Sequence, residues 1–204
     1  AAQVPIGAGL AFAHKYNENK NVSITYFGDG AANQGQVYES YNIASLWKLP
    51  VVFVIENNKY GMGTSVNRSS AGENLSDRGK AYGIKSEIVD GMDVIAVRDA
   101  AIKAIEYCRS GKGPYILEMN TYRYRGHSMS DPAKYRTRDE VEQIRKNSDP
   151  IENIKMLLNK LGVNDENLKS VDTQIKSVIA DAAKFAQESP EPPASELFSD
   201  VTIN

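Results

Sequence analysis

The stretch Val51-Val52-Phe53-Val54-Ile55, which follows Pro50, decides the fold. Its five consecutive apolar residues are mostly β-branched and do not alternate with polar ones, so a strand made from them has two apolar faces. Such strands are typical of parallel sheets that helices cover on both sides. The stretch therefore predicts a central strand of a parallel sheet.

Three more strands are predicted, at residues 22–27, 84–89 and 115–119. Helical signals lie between the strands, over residues 31–46 and from a candidate N-cap at Asp93 to about Arg109. Strands that alternate with helices imply an α/β fold with a doubly wound, mostly parallel sheet. A loop of 17 residues, 57–73, follows the central strand, and loops of this length are often functional.

The last third of the chain is predicted to be helical. Thr137 and Glu140 have the spacing of a capping box, and Asp149 precedes Pro150 as an N-cap precedes a first-turn proline. Two apolar stripes follow at helical spacing: Ile151, Ile154, Leu157, Leu158 and Leu161, then Val171, Ile175, Val178, Ile179, Ala182 and Phe185. We therefore predict an α/β domain at residues 1–136 and C-terminal helices at residues 137–204 that pack on it or on a partner subunit.

The composition excludes several classes of protein. Of 204 residues, 41% are hydrophobic and 25% are charged, which argues against disorder, collagen and coiled coil. The net charge of -2 argues against a general nucleic-acid binder. No apolar run reaches the roughly 18 residues that a membrane span needs. Cys108 is the one cysteine, so no internal disulfide is expected and a reducing compartment fits.

Polar residues gather where two of the predicted strands end. Gly28-Asp29-Gly30-Ala31-Ala32-Asn33 follows the first strand, and Glu56-Asn57-Asn58-Lys59-Tyr60-Gly61 follows the central one. Between Gly30 and Asn57 lie 26 residues. In open parallel sheets, ligands bind beyond the carboxyl ends of the strands, so both segments are expected at one binding site.

These residue types favour a phosphate and a divalent cation. Gly28 and Gly30 allow a backbone to approach a ligand closely, and a helix beginning at Ala31 would present free N–H groups to a phosphate. A diphosphate would repel Asp29 unless a cation lay between them. With Asn58 as a second oxygen ligand, the set is made of hard oxygens, which favours magnesium.

The spacing of the two segments resembles the thiamin diphosphate motif of the 2-oxoacid decarboxylase and transketolase superfamily. Three longer segments, GDGAANQG at residues 28–35, ENNKYGMGTS at 56–65 and YRYRGHSMSDP at 122–132, are together similar to the alpha subunits of the 2-oxoacid dehydrogenase family. The similarity runs essentially along the whole chain. Within the family the last two segments resemble the pyruvate enzymes best, with branched-chain 2-oxoacid and acetoin enzymes as alternatives.

The resemblance implies a role for each matching residue at the cofactor. Asp29 and Asn58 would bind magnesium through their side chains, and Tyr60 would bind it through its backbone carbonyl. Three residues of the first segment would contact the diphosphate of thiamin diphosphate: Gly28, Gly30 and Ala31.

The third segment would supply a loop at the mouth of the site. Arg123 and His127 would lie near the diphosphate, with His127 as a catalytic candidate. Ser128 and Ser65 match positions that are phosphorylated in mitochondrial relatives. A third such serine has no counterpart in residues 133–136, which hints at a bacterial or early-branching source. The location would be cytoplasmic in a bacterium and the mitochondrial matrix in a eukaryote.

The resemblance also implies partners. The expected reaction is oxidative decarboxylation of a 2-oxoacid, with transfer of the acyl group to a lipoyl domain of the acyltransferase; with pyruvate this gives acetyl-CoA in the complex. A beta subunit would supply the glutamate that activates the cofactor, in an assembly of two alpha and two beta chains. Family residues that hold the aminopyrimidine ring precede the part matched here, so we expect an upstream segment and the beta subunit to be needed for activity.

A nicotinamide-binding Rossmann protein is a distant alternative. Gly28, Gly30 and Gly35 loosely match its glycine fingerprint, and Glu56 lies where a ribose-binding acid would be expected. The third glycine of that fingerprint belongs at the position of Asn33, however. A non-catalytic interaction subunit is the other alternative.

Overall fold

Strands and helices alternate along the computed structural model, which describes residues 1–199. The strands are β1 (Ser23–Gly28), β2 (Val51–Asn57), β3 (Tyr60–Gly61), β4 (Thr64–Ser65), β5 (Lys85–Asp90) and β6 (Tyr115–Asn120). The α-helices are α1 (Gln3–Tyr16), α2 (Gly35–Leu46), α3 (Val66–Ser69), α4 (Val94–Arg109), α5 (Arg138–Ser148), α6 (Pro150–Lys160) and α7 (Asp165–Glu188). Short 3-10 helices span Ala31–Asn33, Ser76–Tyr82 and Ala194–Phe198.

Four strands form one parallel sheet in the order β1-β2-β6-β5. Strand β2 lies inside the sheet, and its apolar run is buried on both faces. The register places Gly28 beside Glu56, so β1 and β2 end at the same edge. The predicted α/β class and parallel sheet are confirmed.

Helices cover the two faces of the sheet. On one face α1 and α2 pack with Val51, Phe53 and Ile55 of β2 in a single core. On the other face α4 packs with Val52 and Val54. This second face is covered less completely, because α4 lies over β5, β6 and β2, and the β1 side chains on that face are exposed by 40% or more.

The predicted helix over residues 31–46 is wrong at its start. Residues Ala31–Asn33 form a 3-10 helix, and Gln34 is extended with ψ 139° before α2 begins at Gly35. The Asn33 amide donates to the Asp29 carbonyl at 3.4 Å and to Ser70 Oγ at 3.0 Å. These contacts hold the turn at the sheet edge, so the chain reaches α2 only after one extended residue.

The predicted loop at residues 57–73 is partly ordered into regular structure. Strands β3 and β4 pair antiparallel, with Tyr60 opposite Ser65, and α3 follows directly. The predicted N-caps are confirmed: the Asp93, Thr137 and Asp149 side chains each accept hydrogen bonds from backbone N–H groups of the helix that follows. In the predicted capping box, the Glu140 side chain accepts from Tyr122 Oη at 2.7 Å.

The chain forms two compact units, Ala1–Ile154 and Lys155–Asn204. In the second unit, Lys155 pairs with Asp172 at 3.4 Å between α6 and α7. The predicted apolar stripe of α7 is exposed over its length in the described residues. The domain division at residue 136 stays a prediction. Within residues 1–199, the helices are too short or too polar to cross a membrane.

Candidate functional site

The two polar segments meet at the carboxyl edge of the sheet, as predicted. A Cβ placed on Gly61 would lie 3.3 Å from the Gly30 Cα and 3.6 Å from Asp29 Oδ2. The backbone at Gly61 therefore rests directly against the turn after β1, at a distance that a larger residue would disturb. This contact brings the segments at residues 28–33 and 56–61 into one site.

Asp29 is a buried carboxylate at the centre of this edge. The residue is only 3% exposed, and its side chain forms no ion pair within residues 1–199. Burial raises the pKa of the Asp29 carboxyl, while its own backbone N–H and the charges of Arg123 and Lys59 act in the opposite direction. A buried carboxylate whose charge is incompletely balanced is a ready ligand for a cation.

Side-chain bonds fix the turn after β2. Asn57 Oδ1 accepts from the Lys59 N–H and Asn58 Oδ1 accepts from the Tyr60 N–H, both at 3.2 Å. Lys59 has a left-handed backbone with φ 73°, which non-glycine residues rarely adopt. An amide oxygen has two lone pairs, so Asn58 can accept the Tyr60 N–H and still bind a metal.

These donors suit magnesium better than a softer metal. Residues 1–199 contain no group of three or more His, Cys, Asp or Glu side chains that could hold a metal ion. The predicted set is instead one carboxylate, one amide oxygen and one backbone carbonyl, from Asp29, Asn58 and Tyr60. Magnesium commonly takes few protein ligands and fills its other positions with water and phosphate oxygens, so the residues present fit this ion.

The predicted phosphate-binding residues flank Asp29 in the chain, and the space beside Gly28 is open. A Cβ added at Gly28 would meet no heavy atom within 4 Å. Gly30 and Ala31 form the start of the 3-10 helix. Because that helix is only three residues long, any phosphate contact here would come from local N–H groups and not from the dipole of an α-helix.

Arg78 braces this turn and was missed by sequence reasoning. Its Nη1 donates to the Ala32 carbonyl at 3.0 Å, to Asn33 Oδ1 at 2.9 Å and to Tyr38 Oη at 3.0 Å. It lies on the 3-10 helix that precedes β5, more than 40 residues further along the chain. No local pattern in the sequence links it to the turn.

Arg123 gathers the third predicted segment at the same site. Its Nη2 donates to the Met62 carbonyl at 2.6 Å and to Tyr135 Oη at 2.7 Å. Its Nη1 lies 3.4 Å from both the Tyr60 carbonyl and His127 Nδ1. The structure thus brings Arg123, His127 and Tyr60 together, with His127 exposed.

Asp131 organises the loop that carries His127 and Ser128. Its carboxylate accepts from the His127 N–H at 2.7 Å, from the Ala133 N–H at 2.8 Å and from Tyr135 Oη at 2.8 Å. These donors lower the pKa of Asp131 to about 2. This role was not predicted from the sequence, although aspartates in loops commonly accept from the backbone N–H two residues further on, in an Asx turn.

The two predicted phosphorylation sites lie on separate loops. Ser128 is exposed, with its Oγ 3.0 Å from Ser130 Oγ. Ser65 is half-buried at the end of β4, directly before α3. Phosphorylation of either serine stays a prediction.

Comparison with known proteins identifies the class to which this fold and site belong. A sequence model of the family described as "Dehydrogenase E1 component" matches residues 1–195. The chain therefore belongs to the dehydrogenase E1 family, whose members depend on thiamin diphosphate. This assignment replaces the nicotinamide-binding alternative.

Curated relatives carry a more particular name. The chain is 59% identical over 203 residues to the pyruvate dehydrogenase E1 component subunit alpha of Rhizobium meliloti, covering 99% of this chain and 58% of the relative. The protein of the same name from Zymomonas mobilis is 55% identical, with 99% and 57% covered. The mitochondrial somatic form from Sus scrofa is 54% identical, with 100% and 52% covered. The chain thus spans a little over half the length of these relatives.

Proposed function

We propose that this chain is the part of a pyruvate dehydrogenase E1 alpha subunit that binds magnesium and the diphosphate of thiamin diphosphate. The observation that carries the proposal is the buried Asp29 carboxylate, which lies beside Gly61 in the segment after β2 and forms no ion pair among the described residues. The names of the relatives from bacteria and mitochondria support the choice of enzyme.

Each part of the site has a separate task in this proposal. Asp29, Asn58 and the Tyr60 carbonyl hold magnesium, and the open backbone at Gly28, with Gly30 and Ala31, contacts the diphosphate. The magnesium ion offsets the repulsion between the diphosphate and the Asp29 carboxylate. The chain thereby fixes one end of the cofactor against the sheet edge.

The reaction is the oxidative decarboxylation of pyruvate with transfer of the acetyl group to a lipoyl domain. Thiamin diphosphate, when bound, supplies the electron sink for decarboxylation. Arg123 holds the mouth of the site together through the Met62 carbonyl and Tyr135. Exposed His127 lies beside Arg123, with its Nδ1 3.4 Å from Arg123 Nη1, and is the candidate proton donor or acceptor at this mouth.

The partners follow from the same proposal. A beta subunit completes the site with its activating carboxylate, in an assembly of two alpha and two beta chains, and a lipoyl domain of dihydrolipoamide acetyltransferase accepts the acetyl group. Relatives come from bacteria and from mitochondria, so the proposed location is the cytoplasm or the mitochondrial matrix according to the source.

Titration calorimetry and a transfer assay test this function. The intact protein that contains this chain, assembled with a beta subunit, should bind thiamin diphosphate only when magnesium is present. It should then acetylate a lipoyl domain from pyruvate faster than it acylates the domain from branched-chain 2-oxoacids or acetoin. Cofactor binding that does not depend on magnesium would contradict the metal site, and a preference for another substrate would contradict the choice of enzyme.

A further inference from the structure

Glu118 is a buried carboxylate in the middle of the sheet. It lies on β6 with Leu117 and Met119 on either side, is 2% exposed, and pairs in register with Ile55 of β2 and Ile88 of β5. Taking a carboxylate out of water is costly, and an apolar residue in such a place is often neutral or stabilising. The sheet itself therefore gives no reason for a charge here.

Two buried donors face this carboxylate. Its Oε1 accepts from Asn57 Nδ2 at 2.7 Å, and its Oε2 accepts from the Ser76 backbone N–H at 2.8 Å. Asn57 is 2% exposed and Ser76 is 1% exposed. Both oxygens are thus used, and each bond reaches a different segment of the chain.

The bond to Asn57 fixes which way its amide faces. A carboxylate only accepts hydrogen bonds, so the Asn57 NH₂ group must face Glu118. The Asn57 oxygen then faces the other way, where it accepts from the N–H of Lys59 at 3.2 Å. This bond holds Lys59 in its left-handed conformation, with φ 73°.

The bond to Ser76 reaches the other half of the site. Ser76 begins the 3-10 helix Ser76–Tyr82, which carries Arg78. Arg78 in turn donates to the Ala32 carbonyl and to Asn33 Oδ1, at 3.0 and 2.9 Å. One carboxylate thus connects the turn after β2 with the turn after β1.

We propose that Glu118 is a positioning residue for the metal and diphosphate site. Through Asn57 it sets the turn that presents Asn58 and the Tyr60 carbonyl, and through Ser76 it anchors the helix that braces the Gly28–Asn33 turn. The inference rests on the function proposed above. Groups that orient metal ligands typically change metal affinity by about 10- to 100-fold when they are replaced.

The test measures Mn²⁺ affinity by electron paramagnetic resonance. It uses the intact protein with its beta subunit and thiamin diphosphate. In Glu118→Gln, the new NH₂ group must face either Asn57 Nδ2 or the Ser76 N–H, so one bond is lost or the Asn57 amide turns away from Lys59. We expect Mn²⁺ affinity to fall by at least about 10-fold.

A double variant separates positioning from general damage to the fold. With Glu118→Gln and Asn57→Asp together, the introduced glutamine donates to the introduced aspartate, which still accepts from Lys59, while the glutamine oxygen accepts from Ser76. All three hydrogen bonds are then restored, and only the bond between residues 57 and 118 runs in the opposite direction. Mn²⁺ affinity should therefore return to within about threefold of that of the original protein. If the single variant does not fold, the double variant alone decides.

Glu87→Gln is the matched control. Glu87 lies on the adjacent strand β5, and its carboxylate accepts from Lys103 Nζ at 2.6 Å and from Tyr115 Oη at 3.0 Å. The Glu87→Gln variant should keep an Mn²⁺ affinity within about twofold of that of the original protein.

The outcomes distinguish the two proposals. An unchanged Mn²⁺ affinity in folded Glu118→Gln, or a double variant as weak as the single one, would overturn the role of Glu118 alone. Failure of the original protein to bind Mn²⁺ together with thiamin diphosphate would overturn the proposed function, and this inference with it.

Discussion

Asp29→Asn should have opposite effects on metal binding and on the stability of the metal-free protein. Asparagine keeps the shape of the side chain and removes its charge. Asp29 supplies the only carboxylate of the predicted metal set. Removing it should cost on the order of 3 kcal/mol, because bonds to charged groups are worth about that much, and this corresponds to a loss of affinity of about 100-fold or more.

The stability effect has the reverse sign. Burial raises the pKa of Asp29 above its ordinary value of 3.8, so ionising it destabilises the metal-free fold. The contribution of Asp29 to the free energy of unfolding is fully present below pH 3.8 and is lost as the pH rises through the pKa of the folded state. The asparagine variant escapes this loss, so without metal it should melt at a higher temperature than the original protein at pH 7, and at an equal temperature near pH 3.

Calorimetry of the intact assembly checks both effects. Magnesium with thiamin diphosphate should raise the melting temperature of the original protein and leave that of Asp29→Asn nearly unchanged. Asp77→Asn is the control, since Asp77 is half-exposed, pairs with Lys80 at 2.8 Å and lies on the same 3-10 helix as Arg78. Metal affinity within threefold of the original in Asp29→Asn would refute the ligand assignment, and a lower metal-free melting temperature would refute the desolvation argument.

Three further predictions follow from contacts elsewhere in the chain. Asp93→Ala should lower the free energy of unfolding by about 1 kcal/mol in urea denaturation, because Asp93 caps α4 through two N–H groups; Asp93→Asn should lose much less. Arg78→Met should weaken thiamin diphosphate binding by about 10-fold in calorimetry, since all three acceptors then lose the Nη1 donor, and equal binding would contradict the bracing role. The loop around Asp131 should lose its protection from hydrogen exchange as the pH falls from about 4 to about 2, because its folded pKa is lowered to about 2; Asp131→Asn should lose that protection already at pH 7, and a protected loop in that variant would contradict the argument.

The sequence predicts well what neighbouring residues determine. The run at residues 51–55 predicted a strand buried on both faces, and the caps at Asp93 and Thr137 act within one helical turn. The start of α2 was predicted wrongly because contacts of Asn33 with Ser70 and Arg78, distant in the chain, hold that turn.

The same distinction applies to the candidate site. The segments at residues 28–33 and 56–61 were predicted to meet because parallel strands end at one edge. Arg78 and Glu118 could not be assigned, since each acts through bonds to residues more than 40 positions away. A signal for Glu118 was nevertheless present: it is the one charged residue within the apolar run at residues 115–119.

The contact between the Gly30 and Gly61 backbones has a thermodynamic consequence. Because these two turns already touch in the folded chain, the entropy of bringing them together is lost during folding and is not lost again when a cation binds. Binding should therefore order little additional chain, and the heat-capacity change of the metal step should be small. A side chain at Gly61 would separate the turns and convert this preformed cradle into one that each ligand has to assemble.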